Sequence, residues 1–240
     1  MVAKPQGSPI VAVMQPYLFP YIGYFQLIHA VDIFVFFDDV QYIRRGWINR
    51  NRIMVNGQPQ WFSFPVKKVP QQTKILDVQL SFDIRWKEKF LKTIKLQYCK
   101  APYFQQIYPL IQQIVEFPDN RLVDFIIHQF EVIFQYLGIF YQWKRSSELL
   151  YNREADAQGK ILSICKLLNA KTYINPIGGQ KLYNKKVFKS AGIQLFFLES
   201  QLTPYSQNAK TFYPGLSIID VLMWNSVENI HKMLKDYVLI

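Results

Sequence analysis

The chain has 240 residues, half of them hydrophobic and 16% aromatic, with a formal net charge of +11. That composition excludes a disordered chain, and no apolar run approaches the roughly 18 residues that would suggest a membrane span. Two cysteines, Cys99 and Cys165, are too few for a disulfide framework or a Cys-based zinc site.

Residues 1–10 read as a flexible tail containing Pro5 and Pro9. The opening MVAKPQGSP lacks the apolar segment of a secretory signal, so a cytoplasmic protein with reduced thiols is expected. Ile10 to Met14 is a continuous apolar run, the pattern of a strand buried on both faces. Pro16 and Pro20 hold the next loop extended. Tyr21 to Ala30 predicts a short helix with Ile22, Phe25 and His29 on one face. Ile33 to Phe37 predicts a second strand, which completes a βαβ unit with parallel strands.

Further on, Arg52–Val55 and Gln60–Val66 flank Asn56-Gly57, the strongest short hairpin signal. Asp83 can cap a helix from Ile84 to Gln97, with Trp86, Phe90 and Ile94 on one stripe and lysines elsewhere. Gln105–Val115 and Asn120–Tyr136 predict two more amphipathic helices, the second closed by Gly138. Residues 144–157 are polar and read as loop. A helix at Ala157–Leu168, a strand at Thr172–Asn175, a helix at Lys185–Ala191 and a strand at Gln194–Leu198 restore the α/β alternation. Ser217 opens a helix, and Val227–Tyr237 forms the last one. The expected fold is a mainly parallel, three-layer, Rossmann-like α/β domain over residues 11–240. Residues 41–140 form a basic hairpin-plus-helix lobe over the carboxyl edge of its sheet.

The charge is local. Residues 41–100 hold 13 Lys and Arg against 3 Asp and Glu, while the remaining 180 residues hold 15 against 14. Local surplus cations commonly meet phosphates of a nucleotide, a nucleotide sugar, a lipid headgroup or a nucleic acid, and otherwise serve solubility. The segment Arg44-Arg45-Gly46-Trp47-Ile48-Asn49-Arg50-Asn51-Arg52 interleaves bidentate anion binders with a flat stacking face. It suits a mononucleotide or sugar nucleotide, and also single-stranded nucleic acid. The loop from Gln15 through Pro16 and Tyr17 to Tyr21 leaves a buried strand and feeds a helix, the place where ligands bind in open α/β sheets. Asp38 and Asp39 end the next strand at the same edge; adjacent strand residues point to opposite faces, so one faces a given pocket while the other forms a turn. Asp38, Asp39 and His29 are the candidates for a general base, with a packed core histidine as the alternative for His29. Gly178-Gly179 is a flexible turn able to wrap a ligand. No cluster with metal-ligand spacing and no cofactor motif is visible, so neither metal nor cofactor is expected.

The blocks Q-P-Y-L-F-P-Y-I-G-Y-F, D-I-F-V-F-F-D-D-V-Q-Y and W-I-N-R-N-R-I resemble the WbqC-like family of bacterial surface-polysaccharide gene clusters. So do K-A-P-Y-F at 100–104, Y-I-N-P-I-G-G-Q-K-L-Y at 173–183, Y-S-Q at 205–207 and F-Y-P-G-L-S-I-I-D-V-L at 212–222, in order. The resemblance implies an aminoacyl transferase, in particular one moving glycine during O-antigen synthesis. It adds Gln207, Ser217 and Asp220 to the motif positions already named. Many relatives carry His where this chain has Met14, and Asn-x-Gly where it has Asn225-Ser226-Val227. The expected partners are a nucleotide-linked amino sugar and an aminoacyl donor, whether a carrier protein, a tRNA or a CoA. A P-x-x-G-Y echo of nucleotidyltransferases lacks both signature histidines, Tyr21 and Tyr24 standing in their places.

Overall fold

The computed structural model describes residues 7–240. Its first strand, β1, is Ile10–Met14, so Ile10 belongs to the sheet rather than to the expected tail, whose residues 1–6 lie outside the described residues. The chain continues through α1 (Ile22–His29), β2 (Ile33–Phe36), β3 (Arg50–Val55), β4 (Gln58–Ser63), α2 (Ile84–Tyr98), α3 (Phe104–Val115) and α4 (Leu122–Leu137). There follow β5 (Gln142–Arg145), α5 (Ala157–Leu167), β6 (Thr172–Pro176), α6 (Lys185–Ser190), β7 (Gln194–Ser200), α7 (Ile218–Trp224), α8 (Val227–Met233) and β8 (Tyr237–Leu239).

Six strands form one sheet in the order β5-β2-β1-β6-β7-β8, all parallel except β8. The chain steps from β1 outward to β2 and β5, then crosses back to β6 on the other side of β1. That reversal makes β1/β6 the topological switch point, outside whose carboxyl ends α/β proteins bind ligands. Successive strand residues point to opposite faces, and each face is buried. Ala12, Phe34, Phe36, Ile174 and Leu198 join the large core with α1, α4, α7 and α8, while Val11, Val13, Val35, Tyr173 and Phe197 join a smaller one with α5 and α6. This is the three-layer α/β fold expected.

Two strands escaped the sequence pattern. β5, Gln-Trp-Lys-Arg, is polar because it is an edge strand with one neighbour, β2, and half its residues face water. The C-terminal helix stops at Met233, and Tyr237–Leu239 pairs antiparallel with β7 instead. The helix expected from Ser217 ends at Trp224, where Ser226 opens α8 by accepting the Asn229 N–H at 3.1 Å.

The basic lobe is not a separate core. The inner face of the β3–β4 hairpin puts Phe62 and Phe64 against Phe90, Trp86 and Phe125, and Phe130 of α4 reaches Phe36 of the sheet at 5.4 Å between ring centroids. Asn56 and Gly57 take φ of +51° and +73°, as the expected two-residue hairpin turn requires. Asp83 and Gly138 cap their helices as the sequence implies.

Candidate functional site

The carboxyl edge of the sheet gathers Gln15, Asp38, Asp39, the Gly178 turn and Ser200. Asp38 and Asp39 are 1% and 8% exposed and both are fully engaged. Asp38 accepts from the Ser146 hydroxyl at 3.0 Å, the Ser147 N–H at 2.9 Å and the Ser147 hydroxyl at 2.8 Å. Asp39 accepts from the Tyr151 hydroxyl at 2.9 Å and pairs with the Arg153 guanidinium at 2.7 Å. Arg153 in turn donates to the carbonyls of Ser146, Ser147 and Leu149. These acids clamp the 146–153 segment to the end of β2, and their oxygens are already taken by its donors.

His29 is not brought to them. α1 begins at the carboxyl edge and ends at the opposite one, so a strand length of roughly 15 Å separates His29 from the acids. There its Nδ1 meets the Tyr141 hydroxyl at 3.1 Å. Burial lowers its pKa, with Lys235 and His231 adding repulsion. It is a packing histidine at the amino edge, and the expected base role has no geometric support.

The Gln15–Tyr21 loop is strapped from several sides. Phe19 has φ +42°, a left-handed conformation costly for a non-glycine residue. Its N–H donates to Gln129 at 2.6 Å, and its carbonyl accepts from Asn51 and Ser217, each at 2.8 Å. The Leu18 N–H donates to the Ile48 carbonyl at 2.9 Å, tying this loop to the Arg-rich one. Asn51 and Ser217 thus hold backbone. Pro16 is buried, while Gln15, Tyr17 and Tyr21 are half-buried at the surface of the loop. Tyr21 covers the start of α1: a Cβ added to Gly23 would fall 2.3 Å from the Tyr21 ring and 2.4 Å from the Ser200 hydroxyl. The paired glycines separate in role. Gly179 lets the Asn175 amide approach to where a Cβ would stand, whereas Gly178 borders open space.

The solvent face of the hairpin is cationic and aromatic. Trp47 and Trp61 are 41% and 50% exposed, with ring centroids 4.9 Å apart. The Arg50 guanidinium lies 4.3 Å from the centre of Trp61, and Arg52 lies about 6 Å from both rings. Arg50 also borders a cleft of about 250 Å³ whose cationic walls are Arg44, Arg45, Lys67 and Lys68. Arg50 Nε donates to the Gly46 carbonyl at 2.8 Å, and Arg44 bonds the Val69 carbonyl, which orders two cleft walls. Asn49 stands between the Tyr42 hydroxyl and the Phe64 carbonyl, both at 2.8 Å, and shapes the floor. Among the described residues, none of the thirteen Lys and Arg of residues 41–100 is in an ion pair. Arg52 does not enter the cleft; it turns toward Gly215 and the tryptophans.

Behind the hairpin, Asp220 is fully buried without a cation. It accepts from Tyr98 at 2.8 Å, Tyr205 at 2.7 Å and Gln207 at 3.1 Å. Burial raises its pKa, and these three donors pull it back down. The Met54 N–H donates to the Tyr98 hydroxyl, so the network fastens α7 to the hairpin. Asp220 is thus enclosed behind the Arg52 strand, while Gln207 also borders a surface cavity with Gln58, Lys210 and Tyr213. A larger groove, about 510 Å³ and lined by Pro109, Gln112, Phe117 and His128 between α3 and α4, lies away from both the cations and the carboxyl edge.

Sequence reasoning passed over Trp61, Lys67 and Lys68. Phe62 and Phe64, two apart, mark the inner face of the strand, and that alternation leaves Trp61 and Ser63 on the outer one, which was the available signal. For Lys67 and Lys68 there was none, because only the fold brings them to Arg44 and Arg45. Among the described residues no helix is long and apolar enough to cross a membrane, and no group of three His, Cys, Asp or Glu side chains is placed to hold a metal ion.

Comparison with known proteins follows the same lines. The chain is 27% identical over 214 residues to the uncharacterized protein Rv1507c of Mycobacterium tuberculosis (strain ATCC 25618 / H37Rv), covering 88% of this chain and 92% of that one. No solved structure matches the chain. The model of the WbqC-like protein family matches residues 15–232, from the Gln15 loop through Asp220 into α8, and the chain belongs to that family.

Proposed function

We propose that this protein transfers an aminoacyl group, glycine first among candidates, from an activated donor to the amine of a nucleotide-linked amino sugar for bacterial surface polysaccharide. The observation that carries this reading is the cleft of Arg44, Arg45, Lys67 and Lys68, whose cations have no ion partner among the described residues and whose loop is tied to the Gln15 loop at the carboxyl edge. A diphosphate supplies the missing anions, and the sugar amine then extends from it toward that edge. In the reaction the amine nitrogen bonds the donor's carbonyl carbon, the bond to the donor's oxygen or sulfur breaks, and the amine proton passes to a base. Asp38 and Asp39 support the edge where this happens; His29 lies outside the reading. The donor is an aminoacyl carrier protein, an aminoacyl-tRNA or an acyl-CoA.

A second reading, a sugar-nucleotide binder without transfer activity, is favoured by the complete engagement of Asp38 and Asp39. The two separate on one experiment. The protein is incubated with each donor class and a panel of amino-sugar nucleotides, and products are sought by mass spectrometry. A sugar nucleotide carrying one added aminoacyl group is the expected result. Retained sugar-nucleotide binding with no product from any donor supports the binder instead.

A further inference from the structure

We infer that the exposed face of the β3–β4 hairpin is a two-part recognition site for a nucleoside diphosphate, with the base stacked on the Trp47–Trp61 pair and the phosphates held in the cleft of Arg44, Arg45, Lys67 and Lys68. This rests on the phosphate-binding reading of the same cleft and adds the base subsite. The Trp rings, at 4.9 Å and 41° to each other, are too close for another ring to enter between them, so a ligand ring stacks on the outside of the pair. Two large aromatic side chains half open to water are costly to display without a ligand, and here they share one small patch.

Continuity comes from β-sheet alternation. Arg50, Arg52, Trp61 and Ser63 all project from the hairpin face opposite to buried Asn51 and Phe62, and Arg50 pairs with Ser63 as Arg52 does with Trp61. Arg50 and Ser63 also border the cleft, so the platform runs directly into it. Arg50 is the shared element: its guanidinium lies on Trp61 and its Nε is fixed by Gly46. Size decides how the ligand divides. A cleft of about 250 Å³ is below the roughly 300–1,000 Å³ that encloses a whole small-molecule ligand, so it takes the phosphates and leaves the ring outside.

The same geometry favours a mononucleotide over a polynucleotide. Single-strand binders present a series of aromatic platforms along a cationic track. Here there is one pair, and α2, which carries Arg85, Lys89, Lys92 and Lys95, packs on the opposite, buried face of the hairpin through Trp86 and Phe90. Its lysines therefore do not extend the Trp face.

The test compares inorganic pyrophosphate, uridine and UDP by calorimetry and tryptophan fluorescence, using the full chain and the variants Trp47→Ala, Trp61→Ala and Trp47→Phe. UDP should quench tryptophan emission and bind about 5- to 100-fold more tightly than pyrophosphate. Trp47→Ala should erase that advantage while leaving pyrophosphate affinity unchanged, Trp61→Ala should erase it and also loosen Arg50 at the cleft, and Trp47→Phe should keep part of it. Circular dichroism confirms that each variant is folded, as expected for residues this exposed. Equal affinity for UDP and pyrophosphate, no binding of either, or Ala variants that bind UDP normally would overturn the base subsite. So would an oligonucleotide that outcompetes UDP with a steep salt dependence. If UDP binds as described and no aminoacyl transfer occurs, the transferase reading falls and this one stands.

Discussion

The Asp38–Asp39 corner and the Trp61 face of the hairpin both concentrate charge within a short segment, and they differ in what answers it. In the corner every acid meets a donor from the 146–153 segment, and the arrangement closes on itself. On the hairpin face the cations meet carbonyls and aromatic rings but, among the described residues, no acid. A site whose polar groups are satisfied internally holds structure; a site with surplus charge of one sign is the one able to accept a ligand. Sequence alone offers the acids as candidate bases and the arginines as anion binders. In the fold the acids are satisfied by neighbouring donors, whereas the arginines meet no acid among the described residues.

The contrast can be broken most directly at Asp39. Asp39→Ala leaves Arg153 only its carbonyl acceptors and frees the Tyr151 hydroxyl, and should lower unfolding free energy by about 3 kcal/mol, read from a urea midpoint. If stability is unchanged while transfer activity disappears, the acids belong to the reaction after all. Next in size is the Asp220 network. Tyr98→Phe removes a donor to a buried carboxylate and the partner of the Met54 N–H, and should cost about 1.5–3 kcal/mol. The same network sets a pH dependence. Burial raises the Asp220 pKa above its ordinary 3.8, so the folded protein holds that proton more tightly than the unfolded chain. Its contribution is largest below the ordinary value and is lost as pH rises through the raised one. Asp220→Asn should remove that decline, seen as midpoints of variant and parent that converge or cross as pH rises above the ordinary carboxylate range.

A smaller effect sharpens the other side. Lys67→Ala with Lys68→Ala should weaken pyrophosphate binding by about 1–3 kcal/mol and flatten its salt dependence, with stability almost unchanged. Unaltered binding would move the anion site elsewhere on the hairpin. Smallest of all is Lys92→Ala on the outer face of α2, expected to change stability by less than about 0.5 kcal/mol and ligand binding not at all.

Much of the scaffold was legible. The apolar runs at Ile10–Met14 and Ile33–Phe36, the Asn56-Gly57 turn, and the caps at Asp83 and Gly138 all lie where local pattern puts them. Each is set by residues near in sequence. β5 was missed because a four-residue polar edge strand carries no alternation strong enough to separate it from loop. β8 was missed because its pairing with β7 overrides a helical continuation. Within the site, Arg44, Arg45, Trp47 and Arg50 were recognisable as ligand-facing candidates from composition. The pattern groups Arg52 with the other anion binders of the 44–52 segment, and the structure turns it to the tryptophans rather than to the cleft.

By itself, then, the sequence determined the α/β class, the ends of the first two strands, the concentration of cations between residues 41 and 100, and the family blocks. These follow from periodicity, turn chemistry and counting, which need no knowledge of distant contacts. Only the tertiary structure decided which charges are spent. Asp38 meets Ser147 and Asp39 meets Arg153 across more than a hundred residues of chain, and Asp220 meets Tyr98 across a similar span. Lys67 and Lys68 join Arg44 and Arg45 around one cleft in the same way, through folding. Whether a charged side chain is a clamp or a binding group depends on such non-local pairing, and no short stretch of sequence encodes it.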